Sequence, residues 1–107
     1  MKHFNQLTPA EDERLALLAE ECAEVIQIVA KIQRHGYGSY HPDDPTTTNR
    51  QLLEREAGDV MAALDLLAAH GIARVSDLDT NEIETWRKAK HDKIGRYLHH
   101  QGDRHAH

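Results

Sequence analysis

Two short acidic clusters hold most of the chemistry open to this sequence: Glu20, Glu21 and Glu24 in one, Glu56 and Asp59 in the other. Glu21 is separated from Glu24 as Glu56 is from Asp59, by i to i+3. On an α-helix that spacing puts two side chains on one side, about one turn apart. Both pairs sit among apolar residues. Glu21 has Leu17, Leu18 and Val25 as further helical neighbours, and Glu56 has Leu52, Leu53 and Val60. A carboxylate at the edge of a buried face is costly, and a second one beside it adds repulsion. A hard divalent cation relieves both costs, because magnesium, manganese and calcium prefer oxygen ligands. On two antiparallel helices the pairs converge, so Glu21, Glu24, Glu56 and Asp59 are the expected metal ligands. An isolated acid pair on a helix is usually a solvated face. The apolar setting of both pairs tips the balance toward metal.

Positioning those acids takes helices, and helical signals are dense. Thr8-Pro9-Ala10-Glu11 supplies a cap, a proline suited to the first turn and a capping-box glutamate. Leu15, Leu18, Cys22, Val25, Val29 and Ile32 then recur at alternating intervals of three and four. Cys22, on that stripe, is expected in the core and not as a nucleophile. Gly36 is the expected stop, with Lys31, Arg34 and His35 at the helix's negative end. Residues 36–49 contain Gly36, Gly38, Pro42, Pro45 and a run of capping residues, which predicts a loop. A second helix is expected from about Arg50 to His70, with Leu52, Leu53, Ala57, Val60, Leu64, Leu67 and Ala68 on its apolar face. Gly71 would stop it, and Gly58, inside the second acid pair, would admit close approach of a neighbouring helix. The stretch from Ile72 to Leu78 is ambiguous, with room for one short turn. A third helix is expected from Asp79–Asn81 to about His100, with Ile83, Trp86, Ala89, Ile94, Tyr97 and Leu98 as its apolar positions. Strand-type alternation is absent. The expected fold is therefore all-α: a small antiparallel helical bundle over residues 1–100, completed by oligomerisation, with a flexible polar tail at 101–107.

Glu20-Glu21-Cys22-Ala23-Glu24 followed by Glu56-Ala57-Gly58-Asp59 resembles the EExxE…ExxD signature of MazG-type nucleotide pyrophosphohydrolases. That family belongs to the all-alpha NTP pyrophosphatase superfamily, with the dimeric dUTPases and the phosphoribosyl-ATP pyrophosphohydrolases. The resemblance spans roughly residues 8–98, and Lys93-Ile94-Gly95-Arg96-Tyr97 looks like the family's basic KFxRR element. It implies magnesium at Glu21, Glu24, Glu56 and Asp59, with manganese able to substitute. It implies a catalytic role for Glu20 and phosphate contacts from Lys93 and Arg96. It also implies cleavage of a nucleoside or deoxynucleoside triphosphate at the α-phosphorus, releasing pyrophosphate. The long segment 36–49 separates the acid pairs more widely than in many members. Arg55 stands where some carry a second acid, Tyr97 where a second Arg is usual, and His91 where Asn often sits. Lys31, two turns beyond Glu24 on the Glu20 side, is a further phosphate candidate on spacing alone.

Composition sets the partners. The 107 residues are 39% hydrophobic and 29% charged, a globular mixture, and the formal net charge is −5. No basic stripe suited to a nucleic acid polymer is visible. No apolar run approaches the roughly 18 residues that span a bilayer, and the N-terminal residues lack an apolar signal core. The expected location is the cytoplasm, which a single cysteine fits. A chain this small commonly completes its core with further copies, so a homodimer or homotetramer is expected. Tyr37, Tyr40 and Trp86 could stack on a base, but packing is the commoner role for such residues. The terminal histidines are expected to be solvated. A ferritin-like di-iron protein would need Glu-x-x-His pairs, and the sequence has none. A non-catalytic helical interaction module could use the stripe from Leu15 to Ile32, but has no use for acids facing its own seam. Within the superfamily, dUTP and phosphoribosyl-ATP are the alternative substrates.

Overall fold

A computed structural model of the chain describes residues 4–68 and 77–102. Its elements are α1 (Pro9–His35), β1 (Tyr40–His41), β2 (Asp44–Thr48), α2 (Asn49–Leu67) and α3 (Thr80–Tyr97). The protein is mostly helical, with one small two-stranded sheet. Contacts divide it into two compact units, one ending at Asp77 and the other beginning at Leu78.

Helix α1 starts as its sequence requires. The Thr8 side chain accepts from the Glu11 N–H at 3.1 Å, and the Glu11 carboxylate accepts from the Thr8 N–H at 2.8 Å. Such a cap is worth about 1 kcal/mol. The helix ends at His35, where Gly36 turns the chain with φ 90° and its N–H donates to Ile32 O at 2.7 Å. A side chain at that φ would be strained.

The expected loop over residues 36–49 is partly strand, a short ribbon within a mostly helical protein. β1 and β2 pair antiparallel across Pro42-Asp43, with an irregular register between Tyr40 and His41. The pattern was hidden because the ribbon is short, exposed and lacks apolar alternation. It is held instead by threonines, whose branched side chains suit extended backbone, and by local polar bonds. Asp44 Oδ1 accepts from the Thr46 hydroxyl at 2.7 Å, and the Thr47 and Thr46 hydroxyls together hold its carboxyl below the usual range.

The ribbon runs directly into α2 through a second capping box. Thr48 accepts from the Gln51 N–H at 3.2 Å, and the Gln51 side chain accepts from the Thr48 N–H at 2.9 Å. Three bonds tie this start to the end of α1: Asn49 N–H to Ser39 O, Arg50 N–H to Tyr37 O and Asn49 Nδ2 to Gly36 O. The Arg50 guanidinium also lies 4.6 Å from the Tyr37 ring centre, so Tyr37 packs within the loop. These ties set the start of α2 beside the end of α1. At the far end Arg14 pairs with Asp77 at 2.6 Å, while the Asp77 N–H donates to Leu67 O. The two helices are thus antiparallel, as expected.

Their shared face is narrow. Leu18, Val25, Ile28 and Ile32 of α1 are half-buried, against Leu52, Leu53, Val60 and Leu64 of α2. Ala63, Leu67 and Ala68 are fully buried. Cys22 is exposed, not in the core, because it lies beyond the Leu18 edge of the face that meets α2, about 40° further round the helix. A Cβ at Gly58 would meet nothing within 4 Å, so no close helix approach explains that glycine. Helix α2 stops at Leu67, before His70; Gly71 and the stretch 72–76 lie outside the described residues.

The second unit contains α3. Asp79 caps it by accepting from the Asn81 and Glu82 N–H groups, and Trp86 Nε1 donates to Glu82 at 3.2 Å. Trp86 is exposed. The helix ends at Tyr97, a turn short of His100, with Leu98 already extended. Of the 101–107 tail, residues 103–107 lie outside the described part. Among the described residues no helix is long and apolar enough to cross a membrane.

Candidate metal centre

Antiparallel pairing brings the acids of α1 and α2 to one level. One carboxylate oxygen each from Glu21, Glu24, Glu56 and Asp59 lie within 4.8 Å of one another. Oxygens on opposite sides of a shared cation are about 4.2 Å apart for magnesium and about 5 Å for calcium, twice the usual bond lengths. The cluster therefore has the dimensions of a ligand cage. Glu21, Glu24 and Glu56 are half-buried, and Asp59 opens to solvent.

Two atoms make the group unlike a wet acidic surface. Oε2 of Glu21 and Oε2 of Glu56 are buried with no hydrogen-bond partner. A buried carboxylate oxygen without a donor is a cost that folded proteins rarely carry unrelieved. Burial and mutual repulsion put the same tension on the carboxyl groups. Glu21 is raised by burial first, then by the charges of Glu24, Asp59 and Glu20, with a hydrogen bond from Glu56 acting against them. Glu56 is raised to about 7, chiefly by its hydrogen bond with Glu24, then by burial and the neighbouring charges. Oxygen-only donors, two of them orphaned and all converging, fit a hard divalent cation.

The other expected residues are distributed differently. Glu20 is exposed and flanks the cluster through its neighbour Glu21, whose carboxyl its charge raises. Lys31 is exposed further along α1, on the wall of a cavity of about 300 Å³. Lys93 and Arg96 are exposed on α3, one turn apart, in the second unit. The cavity at Lys31 went unread in the sequence. Its signals, a basic final turn and a Pro-bearing loop, also have ordinary explanations as dipole complement and turn.

Comparison with protein-family models, with curated proteins and with solved structures returned no match to this chain.

Proposed function

We propose that the chain is a divalent-cation-dependent nucleotide pyrophosphohydrolase of the MazG type. It would hydrolyse a nucleoside or deoxynucleoside triphosphate to the monophosphate and pyrophosphate. The observation that carries this is the convergence of Glu21, Glu24, Glu56 and Asp59 with orphaned oxygens on Glu21 and Glu56. The EExxE…ExxD resemblance supplies the reaction class, and magnesium, with manganese as substitute, is the cation it implies. When bound, such a cation offsets phosphate charge and makes a coordinated water more acidic. The chain's own residues do the rest. Glu20, exposed beside the cluster, accepts the proton of the attacking water. Water adds to the α-phosphorus, the bond from that phosphorus to the bridging oxygen breaks, and the electron pair leaves with pyrophosphate. Lys31 supplies positive charge to phosphate oxygens as charge builds on the leaving group, and the resemblance gives Lys93 and Arg96 that role in the family's basic element. Substrates of this class place the activity in the cytoplasm.

The test is a panel of nucleoside triphosphates, dUTP and phosphoribosyl-ATP included, incubated with protein and magnesium and resolved by product. Monophosphate plus pyrophosphate is the expected pair, and the preferred base emerges with it. Diphosphate plus inorganic phosphate would exclude attack at the α-phosphorus. No turnover from folded, metal-loaded protein would favour a non-catalytic helical interaction module.

The proposed enzyme works as a homodimer or a dimer of dimers. Leu15, Ala19, Cys22, Ile26 and Val29 follow one another along α1 at alternating intervals of four and three, and all are exposed, Ile26 by 69%. That is the spacing of a helix–helix seam. An antiparallel copy centred near Cys22 would set Leu15 against the partner's Val29 and bring Ala19 within one residue of the level of the partner's Ile26. Ile26→Glu should convert a sedimenting dimer to a folded monomer, since Ile26 barely touches its own subunit. Wild-type protein that stays monomeric at high concentration would remove the seam's role.

A further inference from the structure

The cavity of about 300 Å³ in the first unit is lined by Lys31, Arg34 and His35 from the last turns of α1, by Ser39, Tyr40, His41 and Pro42 from the ribbon, and by Asn49 and Leu52 from the start of α2. Its wall carries no carboxylate, in a chain whose formal net charge is −5. Among the described residues neither Lys31 nor Arg34 has an ion-pair partner. Of the ribbon's own acids, Asp44 binds Thr46, and the exposed Asp43 is not on the wall, its N–H donating to His41 Nδ1 at 3.1 Å. The wall is also preorganised. The bonds from Asn49 to Ser39 and Gly36 and from Arg50 to Tyr37 hold the ribbon against both helices. Those bonds use the first N–H groups of α2, so any anion here must be held by side chains and not by the helix terminus.

The cavity's place along the helices identifies what it would hold. Lys31 follows Glu24 by two turns on the same edge of α1, roughly 10 Å of axial rise. Leu52 precedes Glu56 by one turn on α2, roughly 6 Å. The acidic cluster and the cationic cavity thus lie about two turns apart along α1 and about one turn apart along α2. We infer that the cavity is an oxyanion site that takes the terminal phosphates of a polyphosphate ligand, with Arg34, Lys31 and the Ser39 and Tyr40 hydroxyls as donors. Two sources share that chemistry: the tail of the substrate itself, an identification that rests on the function proposed above, or a free phosphorylated effector.

The probe is inorganic pyrophosphate, titrated calorimetrically into metal-free protein in chelator at low salt, so that the acidic cluster contributes no cation. Wild type should bind, and Arg34→Ala should bind about tenfold more weakly, the worth of a charge-assisted hydrogen bond. Glu56→Gln should bind at least as well as wild type. Folded wild type and Glu56→Gln that both fail to bind, or Arg34→Ala that binds like wild type, would overturn the site whatever the activity assays show. If binding holds, a raised KM for triphosphate with unchanged kcat in Arg34→Ala assigns the site to the substrate's tail. Unchanged KM, with turnover altered by added pyrophosphate through Arg34, assigns it to an effector. Binding that persists while no nucleotide is hydrolysed would keep the oxyanion site and sink the enzyme.

Discussion

Glu56→Gln should lower magnesium-dependent turnover by at least about 100-fold, a loss in the range seen when one charge-stabilising group is removed from an active site. The same substitution should raise the thermal midpoint of the metal-free protein. The two effects have one origin. Glu56 carries a buried oxygen with no donor, and three further carboxylates surround it. The amide has nearly the same shape but no charge, so the repulsion goes, and with it an anionic ligand for the cation. A purely structural acid would not behave so: its loss would leave activity alone, or lower stability. Glu56→Gln protein that turns over normally would remove the cluster from catalysis.

Magnesium should stabilise the protein, and the gain should grow with pH. The free acid clusters set the sign. Glu21 and Glu56 are both raised in the folded chain, Glu56 to about 7. Between the ordinary glutamate value near 4.3 and about 7, the folded state binds more protons than the unfolded one. Stability therefore falls as pH rises through that window. Metal-free protein should melt higher at pH 5 than at pH 8. A cation competes with those protons, so it binds best where they have left. At pH 8 and a concentration 100 times its dissociation constant, magnesium should add about 2.7 kcal/mol, and chelator should reverse it. A melting curve indifferent to magnesium, manganese and chelator at pH 8 would count decisively against a metal centre. A midpoint that rises from pH 5 to pH 8 without metal would contradict the raised carboxyls of Glu21 and Glu56.

The stripe and the acids of α1 show where legibility begins and ends. Helix starts were readable because their signals are local: Thr8 with Glu11, and Asp79 before Asn81, cap with atoms only a few residues away. The acid pairs were readable for the same reason, since i and i+3 share a side of any α-helix. Helix ends were less so. α2 and α3 end at Leu67 and Tyr97, three residues before the expected His70 and His100, because periodicity marks a face and not a terminus. The ribbon at Tyr40–Thr48 was unreadable from alternation, being held by Thr46, Asp44 and the bonds to Asn49. Cys22 shows a subtler limit. An apolar stripe tells which residues avoid water, but α1 has a face for α2 and a second stripe, Leu15 to Val29, that is exposed among the described residues.

What the sequence determined unaided was therefore the helices, their caps and the side of each on which its carboxylates stand, all consequences of backbone geometry over one or two turns. Only the tertiary structure decided that the acids of α1 and α2 meet within 4.8 Å, that an oxygen on Glu21 and another on Glu56 lose every donor, and that Lys31, Arg34 and the ribbon enclose a cavity. Those facts depend on the register of one helix against another. That register is set by the Gly36 turn, the ribbon's bonds to Asn49 and the Arg14–Asp77 pair, contacts between residues far apart in the chain.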